Sequence, residues 1–307
     1  MPDEAVEAVV DLGFRADLRR SLALLRRGSA DPTMRVLPDG TTWRTSRMES
    51  GPVTYALRQV GPDRISCSAW GPGAAELVTG IPDLLGARDD PDGFVPRHPL
   101  LVDAFRRFPG LRPPRTGRVV EALVPAIIEQ KVVGLDAFAG WRRLLLQYGT
   151  PAPGPAPAGM RVVPTTEGWQ AIASWDWHLA GIDPRRARTA MGCLQVANSL
   201  ERLGRDPDPS VLYRGLRSLP GVGVWTAAEV GARALGDADA VSIGDYHLPK
   251  VVGVPLTGSP LPEDRVEEFL EPWRPHRWRV VRLLELSPLA TAPRRGPRMS
   301  RVDHRRI

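Results

Sequence analysis

The stretch LPGVGVWTAAEVGARALGDADAVSIGDYHLP, residues 219–249, opens with two glycines one residue apart and ends, past a helix-length run, at an aspartate beside a tyrosine. Gly221 and Gly223 permit backbone angles closed to other residues and leave their amides uncovered, so a bulky anion can approach. A helical segment starts immediately behind them and adds unpaired N–H groups and the positive end of its dipole. A phosphate fits such a turn without any lysine. Taken alone, Leu219-Pro220-Gly221-Val222-Gly223 is equally an ordinary corner between two helices, 209–217 and 224–235. Asp245, alone, is equally a cap for a short helix in YHLPKVV.

Composition narrows what such a turn can serve. A chain of 307 residues with 42% hydrophobic side chains is long enough for two or three compact lobes around real cores. The start, MPDEAVEAVVDLGF, carries acids where a secretory signal needs a basic segment, and no stretch approaches the run of about 20 apolar residues that a membrane span needs. No membrane partner and a cytoplasmic location are therefore expected. Cys67 and Cys193 are too few and too far apart for a disulfide framework, a cysteine-rich zinc site or a four-cysteine cluster, and His178 and His247 are read as structural, so no metal site is expected. The formal charge of +6 is unevenly spread: residues 287–307 hold six arginines against one aspartate, net +5, and the other 286 residues sum to +1. That describes a basic tail rather than a basic body. Lysines number only two, Lys131 and Lys250, which limits amine chemistry to those side chains.

Along the chain, TTWRTSRM, VTYALRQV and RISCSAW alternate with turn signals between about 33 and 70 and predict an antiparallel meander. Helical spacing precedes it in DLRRSLALLRR and follows it in AAELVTGIPDLLG. The class expected is α+β: a small α/β lobe over 1–95, a mainly helical domain over 96–286, and a basic, disordered tail over 287–307. PAPGPAPAGMRVVP at 151–164 reads as an exposed connector, and Trp175 and Trp177 as packing residues. Monomeric action is expected, since no coiled-coil heptads occur.

The extended pattern is more specific than the glycines. L-P-G-V-G-x-x-T-A is followed, 19 residues after Thr226, by Asp245 in V-S-I-G-D-Y; Ala126-Ile127-Ile128-Glu129-Gln130, Gly181-Ile182-Asp183-Pro184-Arg185-Arg186-Ala187 and Trp273-Arg274-Pro275-x-Arg277 complete four motifs in order. Together they resemble the helix-hairpin-helix DNA glycosylases, most closely the branch of bacterial 3-methyladenine DNA glycosylase II, whose members carry an α/β domain before the helices. The resemblance implies a DNA glycosylase that acts on double-stranded DNA with a damaged base, in the cytoplasm at the nucleoid of a bacterium. It makes Asp245 the catalytic carboxylate and Trp225 and Tyr246 base-pocket residues. Leu219, Gly221, Val222, Gly223 and Thr226 become the DNA-binding hairpin. Arg185, with Arg186 and Arg188, adds phosphate contacts or is simply an exposed basic face. Members that also cut the backbone use a lysine two residues after the second hairpin glycine; here that position is Trp225, which implies base release without strand scission. No cofactor is required, although related hairpins bind a monovalent cation, K+ or Na+, through main-chain carbonyls near Leu219 and Val222.

Chemistry argues for the acid separately. Breaking an N-glycosidic bond builds positive charge on the sugar, which a fixed carboxylate in a drained pocket stabilises. A base already cationic through alkylation leaves without protonation, so one acid suffices. Two positions depart from the branch: Glu229 and Glu285 stand where it usually shows aromatic residues, and facing the pocket they would weaken stacking and add negative charge. The resemblance implies that after base flipping the vacated stack is filled from the Gln130-Lys131 loop; Lys131 replaces the usual apolar residue, so either Gln130 or Lys131 plugs the gap by polar contact, or Lys131 binds phosphate. Three readings remain: a monofunctional glycosylase for alkylated purines in base excision repair, a same-fold glycosylase for another lesion such as a deaminated or mismatched base, and a DNA-binding protein that has lost catalysis.

Overall fold

Residues 4–290 are those described by the structure, a computed structural model. Five antiparallel strands, β1 (Val6–Asp11), β2 (Met34–Val36), β3 (Thr42–Met48), β4 (Gly51–Gln59) and β5 (Arg64–Trp70), form one sheet in the order β1-β5-β4-β3-β2. The meander expected from the sequence is β3-β4-β5. β1 was not anticipated: Val6 and Val9 on it are exposed, and it exists through pairing with β5, from Val6 opposite Ala69 to Asp11 opposite Arg64. Alternation places Val53, Tyr55 and Leu57 of β4 and Ile65, Cys67 and Ala69 of β5 on one face, where α1 (Leu18–Ala23) and α2 (Ala74–Leu84) cover them with Leu18, Leu22, Leu77 and Ile81. The class is α+β, as expected.

The helical part is built on two apolar clusters, not one. Around α4 (Val119–Ile128), whose residues are almost all buried, gather α5 (Gly134–Tyr148), α6 (Thr166–Gln170), α7 (Ser174–Leu179), α8 (Pro184–Gln195), α9 (Ala197–Leu203), α10 (Pro209–Arg217) and α11 (Val224–Val230), which runs on into a π-helical turn, Gly231–Leu235. A second cluster joins α3 (Pro99–Arg107), earlier in the chain, to α12 (Leu248–Thr257), α13 (Val266–Leu270) and α14 (Arg277–Leu286). The chain crosses from the first cluster to the second through 236–247, a stretch without regular structure that contains Asp245.

Two expectations fail for packing reasons. The proline-rich 151–164 segment is no free connector: β6 (Thr150–Pro151) and β7 (Arg161–Val162) pair as a hairpin, and Thr45 Oγ1 donates to the Arg161 carbonyl at 2.6 Å. Gly154 in that hairpin lies so close to Trp70 that a Cβ there would stand 2.3 Å from the ring; Trp70 in turn stacks on Trp43 at 5.2 Å. The tail begins later than residue 287, because Ser287 and Ala290 are buried against the second helical cluster. The tail residues 291–307 lie outside the described residues. No helix among the described residues is long and apolar enough to cross a membrane.

Trp141, Trp169 and Trp177 form a continuous row in the first cluster, with ring centroids 6.0 and 5.9 Å apart, whereas Trp175 is 67% exposed and does not pack as the sequence suggests. Trp169→Ala is expected to lower unfolding free energy by about 3–5 kcal/mol, the usual loss for a buried tryptophan, and Trp175→Ala by less than about 0.5 kcal/mol. Urea denaturation of the two variants checks both values.

Candidate active site

The hairpin between α10 and α11 is held from beneath. Val222 is buried in the first helical cluster and Leu219 packs against it, while Pro220, Gly221 and Gly223 face outward. Only Gly221 needs to be glycine for its angles: its φ is +86°, and a Cβ there would meet Thr189 Oγ1 of α8 at 2.2 Å. Gly223 is ordinary extended backbone with nothing within 4 Å of a would-be Cβ, so it contributes bare, approachable main chain. α11 has no side-chain cap at its start, which leaves its first amides available.

Gln130, just past the end of α4, donates through Nε2 to the Gly221 carbonyl at 2.9 Å and to Thr226 Oγ1 at 2.8 Å. Both amide hydrogens are thereby used, which corrects the idea that Gln130 fills a vacated base stack. Thr226 is buried and serves the same brace rather than a direct surface contact. Lys131 follows, exposed and with φ +52°. Of the arginines beside α8, Arg185 and Arg188 are exposed, whereas Arg186 is buried and donates to Asp183 at 2.5 Å and to the carbonyls of Ile128 and Gly181. Arg186 therefore locks α8 to the end of α4 and is not a phosphate contact.

Asp245 is half-buried, and each of its carboxylate oxygens accepts one hydrogen bond. Oδ2 accepts from Trp225 Nε1 at 3.2 Å, and Oδ1 from the His247 main-chain N–H at 2.8 Å. The second bond is the local turn contact that the capping alternative anticipates; the first ties the acid to the first turn of the hairpin's own helix. Tyr246 is 53% exposed, with Lys250 Nζ 5.5 Å from its ring centre.

Glu229 does not offer a free charge to a pocket. Its Oε2 pairs with Arg233 Nη1 at 2.7 Å and its Oε1 accepts from Ser242 Oγ. Burial by itself would raise its pKa, but Arg233, the Ser242 hydroxyl and Arg27 outweigh burial and hold the carboxyl below the usual range. Glu285 is exposed on α14 and paired with Arg282 at 2.8 Å. Both charges noted in the sequence thus have cationic partners.

Residues that the sequence did not single out fix the 236–247 segment. Arg277 grips Asp239 through Nε at 2.9 Å and Nη2 at 2.7 Å, and Arg274 adds Nη1 at 2.8 Å, so the W-R-P-x-R motif acts as a fork on the stretch that carries Asp245. Asp239 and Ser242 carry no spacing signal of their own, although Arg277 stood in a quoted motif. Among the described residues no group of three or more His, Cys, Asp or Glu side chains is placed to hold a metal ion.

The fold is similar to that of solved DNA glycosylases. The chain has a TM-score of 0.75 with the 3-methyladenine DNA glycosylase of Archaeoglobus fulgidus, at 19% identity over 90% of this chain and 97% of that one. With the 8-oxoguanine glycosylase/lyase of Clostridium acetobutylicum the score is 0.69, at 14% identity over 94% and 100% of the two chains. In sequence the chain is similar to the probable bifunctional transcriptional activator/DNA repair enzyme AlkA of Mycobacterium tuberculosis, 29% identical over 268 residues that make up 81% of this chain. The chain spans half the length of that curated relative. No protein-family model matches it.

The two glycines are expected to behave differently on substitution. Gly221→Ala combines a left-handed φ with a clash against Thr189 and should cost roughly 1–3 kcal/mol or more, whereas Gly223→Ala should fold within about 1 kcal/mol of the parent. Chemical denaturation measures both.

Proposed function

We propose that this chain is a monofunctional DNA glycosylase that flips a damaged, alkylated purine out of double-stranded DNA and hydrolyses its N-glycosidic bond, leaving an abasic site. The observation that carries the reading is a carboxylate, Asp245, clamped on both oxygens and joined to the helix behind an open glycine hairpin. The similarity to AlkA and to a 3-methyladenine glycosylase favours alkylated purines among lesions.

In this reading the amides of the hairpin and the exposed Arg185 and Lys131 hold the strand by its phosphates, while Trp225 and Tyr246 offer aromatic faces to the extruded base. As the bond from the sugar carbon to the base nitrogen breaks, its electron pair moves to the base and cancels the charge that alkylation placed there. Positive charge grows on the sugar, where the Asp245 carboxylate stabilises it. Water then adds to the same carbon and gives up a proton. Asp245 keeps its bearing throughout, because the Trp225 indole and the His247 amide hold one oxygen each. A monovalent cation, K+ or Na+, fits the turn: the Leu219 carbonyl accepts one bond, from the Val222 N–H at 3.1 Å, and keeps a second lone pair. The Leu219 and Val222 carbonyls would hold it, and it would supply positive charge toward the anionic strand. The chain would act as a monomer, in the cytoplasm where the chromosome lies.

Four outcomes test this. On duplexes each bearing one modified base, hot-alkali cleavage should appear at alkylated purines; cleavage only at deaminated or mismatched bases would transfer the reading to the second class of glycosylase. Asp245→Asn should abolish base release while duplex affinity stays within about threefold, and an active Asn variant would remove Asp245 from the mechanism. Borohydride should trap no covalent DNA adduct, since Trp225 stands where a Schiff-base lysine would be. Removing 291–307, which carries all six tail arginines, should flatten the dependence of log affinity on log salt without changing the base released.

A further inference from the structure

We propose that Glu229 is a positioning residue that sets the bearing of Asp245 through Ser242, so that α11 holds the acid at two points. The inference rests on the reading of Asp245 as the acting carboxylate.

Trp225 and Glu229 are four residues apart on α11 and so share one face of that helix. The upper of the two reaches the Asp245 side chain directly, through the indole at 3.2 Å. Glu229 reaches its backbone: Oε1 accepts the Ser242 hydroxyl, and the Ser242 carbonyl accepts the Asp245 N–H at 3.0 Å. Only Ile243 and Gly244 separate the two residues, and Gly244 is exposed with φ +88°, a flexible link that by itself would not fix direction. Upstream, Val241 is buried in the second helical cluster and Asp239 is held in the arginine fork. Ile243 packs only part-buried against the second cluster, so Ser242 is the nearest residue before the acid whose side chain is fixed by a hydrogen bond.

The acceptor itself cannot wander. Arg233 Nη1 holds Glu229 twice, at Oε2 (2.7 Å) and at the main-chain carbonyl (3.0 Å), and Arg233 Nε is fixed to the Leu24 carbonyl at 3.1 Å. A hydroxyl donated to an ionised carboxylate makes a stronger and more directional bond than one donated to a neutral group. None of these contacts touches the hairpin, so the strut separates placement of the acid from the grip on DNA.

The test uses the full chain with Ser242→Ala, Ser242→Thr and Glu229→Gln. A duplex with one alkylated purine gives the single-turnover rate of base release and the duplex affinity. Amide hydrogen exchange gives the local freedom of 241–248. Ser242→Ala should slow base release about 10- to 100-fold, the scale expected when a reacting group is misplaced by about an ångström, with affinity within about twofold. Exchange should quicken about tenfold in 241–248 and stay unchanged in α11. Ser242→Thr should bring both back to near the parent, and Glu229→Gln should fall between, since an amide oxygen still accepts the hydroxyl. Parent-like rates in Ser242→Ala and Glu229→Gln would overturn the inference, as would a loss of rate accompanied by equal loss of affinity and general loosening. If the parent releases no base from any duplex, the activity reading falls, and exchange alone decides the strut: unchanged exchange in Ser242→Ala refutes it, and local quickening upholds it.

Discussion

Four charges buried where the N-terminal lobe meets the helices set the geometry of everything around them. Arg27, just after α1, pairs with Glu129 at 2.8 Å; Arg233, in the π-helical turn, pairs with Glu229 at 2.7 Å. Burial lowers the pKa of Arg27 and raises that of Glu129, whereas at Glu229 the surrounding cations and the Ser242 hydroxyl outweigh it. Such pairs add little net stability compared with apolar packing, but stripping one partner from them costs about 3–5 kcal/mol. Their consequence is register. Glu129 precedes Gln130, which braces the hairpin, and Glu229 grips Ser242, which leads to Asp245. The element that would hold a strand and the element that would act on it are aligned through the same buried ions.

That alignment explains why the helical part has two cores. Were it one, the segment from 236 to 247 would be an interior loop whose polar groups had to be satisfied within a packed core. Lying between clusters, it stays half-open to solvent while fixed at intervals by side chains that belong to both sides: Arg277 and Arg274 from α14 and the turn before it, Glu229 and Trp225 from α11. Ala228, Ala232, Ala240 and Trp278 fill the seam with small side chains and one large ring. A rigid frame thus presents a half-buried carboxylate with fixed bearing, which is what a preorganised site requires.

How much of this the sequence disclosed follows from the range of the interactions. The meander from 42 to 70 and most helices were legible, because alternation and helical spacing are local, and so were Gly221 and Asp245, whose spacing is fixed by one helix and one crossing. β1 was hidden because an edge strand with outward valines owes its existence to a partner some sixty residues away. The 151–164 hairpin was misread because prolines report the absence of helix, and say nothing of the Trp70 face on which the segment lies. Glu229 looked like a charge in a pocket for a similar reason: its position on α11 was correct, but its partners Arg233, Ser242 and Arg27 come from three different elements. Arg186 illustrates the same blindness, since its neighbours in sequence are exposed arginines and its contacts in space are carbonyls of α4 and the turn before α8.

The pairing of acids with arginines also decides what electric field a reacting sugar would meet. Glu229, Asp239 and Glu285 each lie within about 3 Å of a guanidinium, and Glu129 faces Arg27. A compensated pair acts at a distance as a dipole, whose influence fades faster than that of a single charge. Asp245 forms no ion pair among the described residues; its oxygens are held by an indole and a main-chain amide, which orient the carboxylate without cancelling it. One uncompensated charge about 4 Å from a developing cation is worth about 4 kcal/mol in a half-wet protein site, more if closure on DNA drains the water. The two glutamates whose charge the sequence would have added to the site are thus compensated by arginines, and the Asp245 carboxylate is not.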